Sequence, residues 1–209
     1  IVRPEDLDFI FGNPPFLGSR TMDKGQKADL RAVARGFPQA GFLDFVTGWY
    51  ILADRMMTQN PAIEAAFVST NSISQGEQPG ILWPKLYANG NHITFAHRTF
   101  RWMNAARGVA AVHCVIVGFA RKPRTPAMLF DYPDIAGEPV LDLVESISPY
   151  LIGGGEFVVS NRQEQISGAP AMSFGNMPAD GGNLILSRSE RDALLASEPA
   201  AAEWVLPYI

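Results

Sequence analysis

The chain has 209 residues, 47% of them hydrophobic and 18% charged, with a net charge of −4, so it can bury a core and holds one or two domains. A single cysteine, Cys114, excludes an internal disulfide, and no Cys/His group has metal-site spacing, so no metal is expected. No leader pattern stands at the start, and no apolar run reaches the roughly 18 residues of a membrane span, so a cytoplasmic protein with no membrane partner is expected.

Residues 7–11, Leu-Asp-Phe-Ile-Phe, read as a short strand that stops at Gly12 and releases Asn13-Pro14-Pro15-Phe16. A polar helix is predicted over 22–35, broken by Gly36 and Pro38. Apolar residues at helical spacing (Phe42, Phe45, Val46, Trp49, Ile51, Leu52, Met56) predict an amphipathic helix over 40–58. A buried strand follows at 63–70, ending at Asn71, and then a helix at 78–88. Residues 92–98 and 109–119 read as strands joined by a loop over 99–108; the second is almost wholly apolar, as a strand buried on both faces should be. A Pro-rich basic loop around 121–126 closes this region. Beyond it Gly, Pro, Ser and acids dominate. A short helix is predicted over 138–151, and another over 187–197, where Ser187 and Glu190 form a capping box. The chain opens at Ile1 and ends on the apolar Trp204-Val-Leu-Pro-Tyr-Ile209, and is read as a segment of a longer protein. Its first strand would then have lost a neighbour, so self-association of the isolated segment is expected.

The turn at 13–16 carries the clearest chemistry. Prolines donate no backbone hydrogen bond and fix their own φ, and the residue before a proline is pushed toward extended geometry. The result is a stiff, acceptor-rich turn at a strand's carboxyl end, where open α/β sheets hold their ligands. The Asn13 side-chain oxygen and the Pro14 carbonyl can accept from one amino group, and Phe16 offers a flat face to a planar ring. That describes a receptor for an exocyclic amine on an aromatic heterocycle. A Pro-rich turn with Asn as a local cap is the structural alternative.

Charge is unevenly spread. Residues 78–130 hold seven basic side chains (Lys85, Arg98, Arg101, Arg107, Arg121, Lys122, Arg124) and no acidic one, whereas 131–209 hold three basic and twelve acidic ones. A basic face is the footprint of phosphate binding. Pairing of these cations with the acidic last third would produce the same pattern, and the two readings stand level.

The Asn13–Phe16 stretch resembles motif IV of amino-group methyltransferases, above all DNA adenine-N6 methyltransferases. The segments Phe67–Gly76, Ile93–Trp102, Ala111–Gly118 and Phe174–Asn183 extend the resemblance to the MmeI-like family of large restriction-modification proteins. The resemblance implies an α/β fold: the C-terminal half of a Rossmann-like, S-adenosylmethionine-dependent methyltransferase sheet, parallel strands plus a final antiparallel hairpin strand, over 1–125. A loop-rich α+β extension over 126–209 would be a linker and the start of the target-recognition region. It further implies catalysis at Asn13, Pro14, Pro15 and Phe16, with transfer to the N6 amino group of a flipped adenine. Phe100, with Trp102 second, would hold the target base, and Asn71 lies at the same edge; hairpin packing and a local cap are their structural alternatives. Arg98, Arg101 and Arg107 would contact the DNA backbone. The partners implied are double-stranded DNA and the rest of the parent polypeptide. The donor is normally held by a Gly-rich turn after a first strand. Nothing fits here: Gly153-Gly154-Gly155 follows no buried strand and Gly181-Gly182 sits in a loop. The donor-binding half is therefore expected to be missing, and the segment alone inactive. Competing readings are a methyltransferase acting on another nitrogen, such as a protein glutamine or an RNA guanine, and a non-catalytic DNA-binding module.

Overall fold

The structure is a computed structural model that describes residues 2–102, 112–159, 167–168 and 181–207. Six strands form one sheet: β1 (Phe9–Gly12), β2 (Glu64–Thr70), β3 (His92–Trp102), β4 (Val112–Ala120), β5 (Ala127–Asp131) and β6 (Val140–Val144), in the spatial order β1-β2-β4-β3-β5-β6. β1 and β2 are parallel, as are β3 and β5; β4 runs antiparallel to both its neighbours, β2 and β3. The expected parallel strands plus a final antiparallel hairpin strand are present as β1, β2, β3 and β4, and β5 and β6 extend the sheet, with β6 antiparallel to β5.

Alternation along β2 buries Ala65, Phe67 and Ser69 and leaves the residues between them half-exposed. The buried face packs under α2 (Thr47–Gln59) and α3 (Gln78–Ala88). Tyr50 of α2 is the centre of that packing. It has no exposed surface, stacks on Phe119 of β4 with ring centroids 5.4 Å apart, and meets Phe67 at 5.1 Å and Trp83 of α3 at 6.4 Å. Its hydroxyl keeps a partner, Ser69 Oγ at 2.9 Å, as a buried phenol requires. Burial drives the Tyr50 hydroxyl far above its ordinary pKa. α1 (Lys24–Val33) is amphipathic; its N-terminus is fixed by a capping box in which the Asp23 side chain accepts from the Gln26 N–H.

On the opposite face of the sheet, Phe95 lies flat over Gly118, its cross-strand partner. A Cβ on Gly118 would sit 2.0 Å from the Phe95 ring, so the glycine makes room for the aromatic. Among the described residues β1 pairs on one side only, and Phe9 and Phe11 are 63% and 82% exposed.

Three sequence expectations need correction. The helix predicted over 40–58 is a 3-10 turn, Ala40–Phe42, followed by extended Leu43 and then α2. Leu43 is wholly buried, and the Asp44 side chain is bonded to Ser19 and Ser72, so the chain turns inward before it coils. The loop predicted over 99–108 is strand as far as Trp102: Phe100 pairs with Cys114 and Trp102 with Val112, after an irregularity between His97 and Phe100. The helix predicted over 138–151 is β6, whose Val-Leu-Asp-Leu-Val sequence pairs antiparallel with β5 and continues the sheet.

The chain divides into two compact units, Ile1–Asn161 and Arg162–Ile209. A division at 125/126 falls between β4 and β5, two strands of one sheet. The second unit contains α4 (Arg188–Ser197), with Ser187 and Glu190 in the expected capping box, and Glu190 is held below its usual carboxylate pKa by its hydrogen bonds to Ser187. Among the described residues no helix is long and apolar enough to cross a membrane, and no group of three His, Cys, Asp or Glu is gathered to hold a metal ion.

Candidate functional site

β1 ends at Gly12 because the prolines after it cannot extend a ladder. Gly12 pairs with Phe67, three residues before β2 ends at Thr70, so the chain leaves the sheet at the edge where both parallel strands finish. Pro14 is buried, Phe16 half-buried, and Asn13 and Pro15 exposed. Neither the Asn13 amide nor the Pro14 carbonyl is hydrogen-bonded to any described residue. Two acceptors on adjacent residues, one exposed and one buried, thus stand without a partner among the described residues, two residues before an aromatic ring.

The segment after the turn is firmly tied down. The Phe45 N–H donates to the Leu17 carbonyl at 2.9 Å, and the Ser19 N–H to Asp44 Oδ1 at 2.9 Å. The other Asp44 oxygen, Oδ2, accepts from Ser72 Oγ at 2.7 Å, and Ser72 is within 2.7 Å of Thr70 Oγ1. The Asp44 N–H donates to Gln78 Oε1 at 3.1 Å. One buried carboxylate therefore joins the exit of β1, the exit of β2 and the approach to α2. Sequence reasoning missed Asp44. Its only local signal is an acid inside an otherwise apolar helical pattern.

Asn71 begins a 3-10 turn, Asn71–Ser74, directly after β2, and its carbonyl accepts from Ser74 Oγ at 3.0 Å. Thr70, Cys114 and Phe100 stand in one row across β2, β4 and β3, so Asn71 and Phe100 share the carboxyl edge with Asn13. Phe100 lies three strand spacings from β1, roughly 14 Å. It is half-exposed, stacks on Tyr132 at 5.2 Å and lies 6.0 Å from Trp102. His97 on the same face stacks on Phe130 at 4.2 Å, with Nδ1 2.8 Å from the Tyr132 hydroxyl. Burial lowers the His97 pKa; burial first, and Glu138 second, raise that of Tyr132.

The arginines of the basic stretch fare differently. Arg98 donates from Nε to the Leu151 carbonyl at 2.9 Å and pairs with Asp131 at 3.3 Å, so its guanidinium is occupied. Arg101 is exposed and has no ion-pair partner among the described residues. Arg107 lies outside the described residues. Arg121 pairs with Asp54 at 3.0 Å, and Lys85 sits 4.8 Å over the Phe37 ring. Much of the charge that looks like one basic face in sequence is thus engaged inside the fold.

The chain matches the family described as MmeI, DNA-methyltransferase domain, over residues 2–131, and that described as MmeI, target recognition domain, over residues 153–209. It is 37% identical over 201 residues to the protein named DNA methyltransferase A of Bacillus subtilis (strain 168), covering 96% of this chain and 22% of that protein. It is similar, at 43% identity and a TM-score of 0.87, to the solved structure of the Type IIL restriction-modification enzyme MmeI in complex with DNA, covering 97% of this chain and 27% of that one. The chain spans about a quarter of the length of these relatives. The methyltransferase-domain match takes in the Asn13–Phe16 turn and every strand through β5; with these identities, it shows that the chain belongs to the MmeI family.

Proposed function

We propose that the protein to which this chain belongs is a restriction-modification DNA methyltransferase that methylates the N6 amino group of adenine in double-stranded DNA. Asn13-Pro14-Pro15-Phe16 is the catalytic turn. The observation that carries this reading is the pair of acceptors, the Asn13 amide oxygen and the Pro14 carbonyl, without partners among the described residues at the carboxyl edge of a sheet that matches a DNA-methyltransferase domain.

The adenine amine is a poor nucleophile because its lone pair is delocalised into the ring. Two acceptors drawing on its two N–H bonds favour a tetrahedral nitrogen and free that lone pair. The buried Pro14 and the Asp44 anchor hold both acceptors in place, so little reorganisation is needed as charge develops. Phe16 stacks on the base once it has left the duplex, an interaction worth roughly 1–3 kcal/mol. Phe100 and Trp102, at the same edge, close the pocket from the β3 side, with Asn71 between. Arg101 meets the backbone, and Arg107 is assigned the same role. Arg98 braces the β3–β5 junction through Asp131 and Leu151 instead.

S-adenosylmethionine, the methyl donor that a DNA-methyltransferase domain implies, supplies an activated sulfonium methyl, so the amine needs no strong general base. The described residues hold no cradle for it. Gly153 makes an isolated bridge to Ile147, Gly154 and Gly155 lie in irregular backbone, and Gly181 and Gly182 are in a turn; none stands at a strand-to-helix junction. Donor binding is accordingly assigned to polypeptide outside this chain. The target recognition match over 153–209 favours DNA over a protein glutamine or an RNA guanine as acceptor.

The test is Asn13→Ala in the full-length protein. Methyl transfer to a duplex carrying the recognition site should fall by about 100-fold or more, the scale seen when one preorganised catalytic hydrogen bond is removed, while DNA binding persists. Nucleoside analysis of wild-type product should show N6-methyladenine. Near-normal turnover of the variant, or a different methylated base, would exclude the assignment.

A further inference from the structure

A cavity of about 610 Å³ opens beside the turn after Phe16, between α1, the Ala40–Phe42 turn and the Gln75–Gln78 segment. Three cations line it: Arg20 from the turn, and Lys27 and Arg31 from α1. Lys27 and Arg31 are four residues apart on one helix, a like-charge spacing that costs helix stability. None of the three has an ion-pair partner among the described residues. Glu77 is also on the wall, against three positive charges, and Gln75 adds an amide. The floor is apolar, formed by the buried Met22 and Leu30. Cations lining an open hollow, with the Gln75 amide beside them, fit an anion with several oxygens.

The hollow is fixed relative to the catalytic turn. The Gly18 carbonyl accepts from the Thr21 and Met22 N–H groups at 2.9 and 3.2 Å, and Ser19 is held by Asp44 at 2.9 Å. Arg20 is four residues beyond Phe16, so their Cα atoms lie within roughly 14 Å of each other. One DNA strand advances about 3.4 Å per nucleotide, so Arg20 stands within about four nucleotide steps of Phe16. We propose that Arg20, Lys27 and Arg31 form a phosphate-binding site that grips the DNA backbone next to the adenine to be methylated. This assignment rests on the reading of the protein as a DNA methyltransferase. It adds a contact surface on α1, in a segment whose sequence reads as an ordinary solvated helix.

The experiment uses the full-length protein and a fluorescent duplex carrying its recognition site, with affinity measured across potassium chloride concentrations. Each phosphate contact contributes about 0.9 to the slope of log K against log salt. The triple variant Arg20→Ala/Lys27→Ala/Arg31→Ala should lower that slope by about 2 to 3 and raise KM for DNA. Lys27→Gln alone, a milder change at a half-exposed position, should lower the slope by about 1, and it decides the matter if the triple variant does not fold. Unchanged slopes in variants with a wild-type circular dichroism spectrum would overturn the cavity assignment and leave the methyltransferase reading intact. A wild-type protein with no salt-dependent DNA binding and no methyl transfer would overturn that reading, and the phosphate site with it.

Discussion

The two edges of the sheet handle their polar groups in opposite ways. At the carboxyl edge of β1 and β2, the Asn13 amide and the Pro14 carbonyl are left open, and a buried acid, Asp44, anchors only the backbone behind them. At the other edge, the Asp54 carboxylate accepts from Arg121 at 3.0 Å, Asn91 at 2.6 Å and Asn89 at 2.7 Å, and so joins α2, the end of β4 and the turn before β3. Both acids belong to the same stretch of chain and both are buried. One anchors the backbone behind groups that have no partner among the described residues; the other ties three elements of the fold to one another. The exposed Asn13 amide costs little while water reaches it, whereas an unpartnered acceptor on the buried Pro14 costs stability that a substrate donor would return.

If this contrast is sound, the two acids should separate stability from turnover. Asp54→Ala leaves Arg121, mostly buried, without its partner. Breaking a buried pair costs about 3–5 kcal/mol; the lower end is expected because the Arg121 side chain retains 21% exposure. Urea unfolding should show the loss, and methyl transfer per folded molecule should be unaltered. A matching fall in turnover would mean that the edges are coupled and that the contrast between them is false.

Asp44→Ala should have the smaller effect on stability and the larger one on chemistry. Removing its two oxygens strands the Ser19 N–H and leaves the Ser72 hydroxyl only Thr70 Oγ1 as a partner, a cost of about 1–3 kcal/mol. Part of that appears as looseness of the segment behind the catalytic turn, so kcat should fall about tenfold, the equivalent of about 1.4 kcal/mol. Asp44→Asn keeps an acceptor for Ser19 and should recover most of the rate. Should the Asn variant be as slow as the Ala variant, hydrogen-bonded positioning would not be what Asp44 supplies.

How far the sequence discloses this arrangement depends on the distances over which its forces act. The Asn13–Phe16 turn is legible because proline geometry is local: two adjacent residues fix the backbone wherever the chain lies. α3 appears at 78–88 as predicted and α4 starts at its capping box, again on signals within a few residues. Asp44 is different. Its partners Ser19 and Ser72 are 25 and 28 residues away, and nothing in the neighbourhood of Leu43 marks the break they impose on the helix. β6 is illegible because Val140–Val144 has little burial to pattern it; four of its five residues are exposed, and pairing with β5 decides its state. The basic stretch misleads for the same reason. Adjacency in sequence does not show that Arg98 meets Asp131 or that Arg121 meets Asp54, whereas Arg20, Lys27 and Arg31 gather only when α1 packs beside the Gln75–Gln78 segment.

The aromatic face lies outside both networks and should respond to pH in its own way. His97 is stacked on Phe130 and bonded to Tyr132, and burial holds its folded pKa below the ordinary value, about 6.5. The neutral ring is thus favoured in the fold. As pH falls below about 6.5 the unfolded chain takes up a proton before the folded one does, so stability declines toward the lowered folded pKa; above about 6.5 both states are neutral and His97 contributes no slope. His97→Phe preserves a ring in the stack and removes the proton. Its urea midpoint should fall less than that of the wild type between about pH 7 and pH 5. This is the smallest of the expected effects, and because the substitution is confined to one ring of the stack, the difference between the two slopes reads His97 alone. Parallel slopes for wild type and His97→Phe would show that burial in the stack does not hold the His97 proton off, and the aromatic face would then differ from the two edges in packing alone.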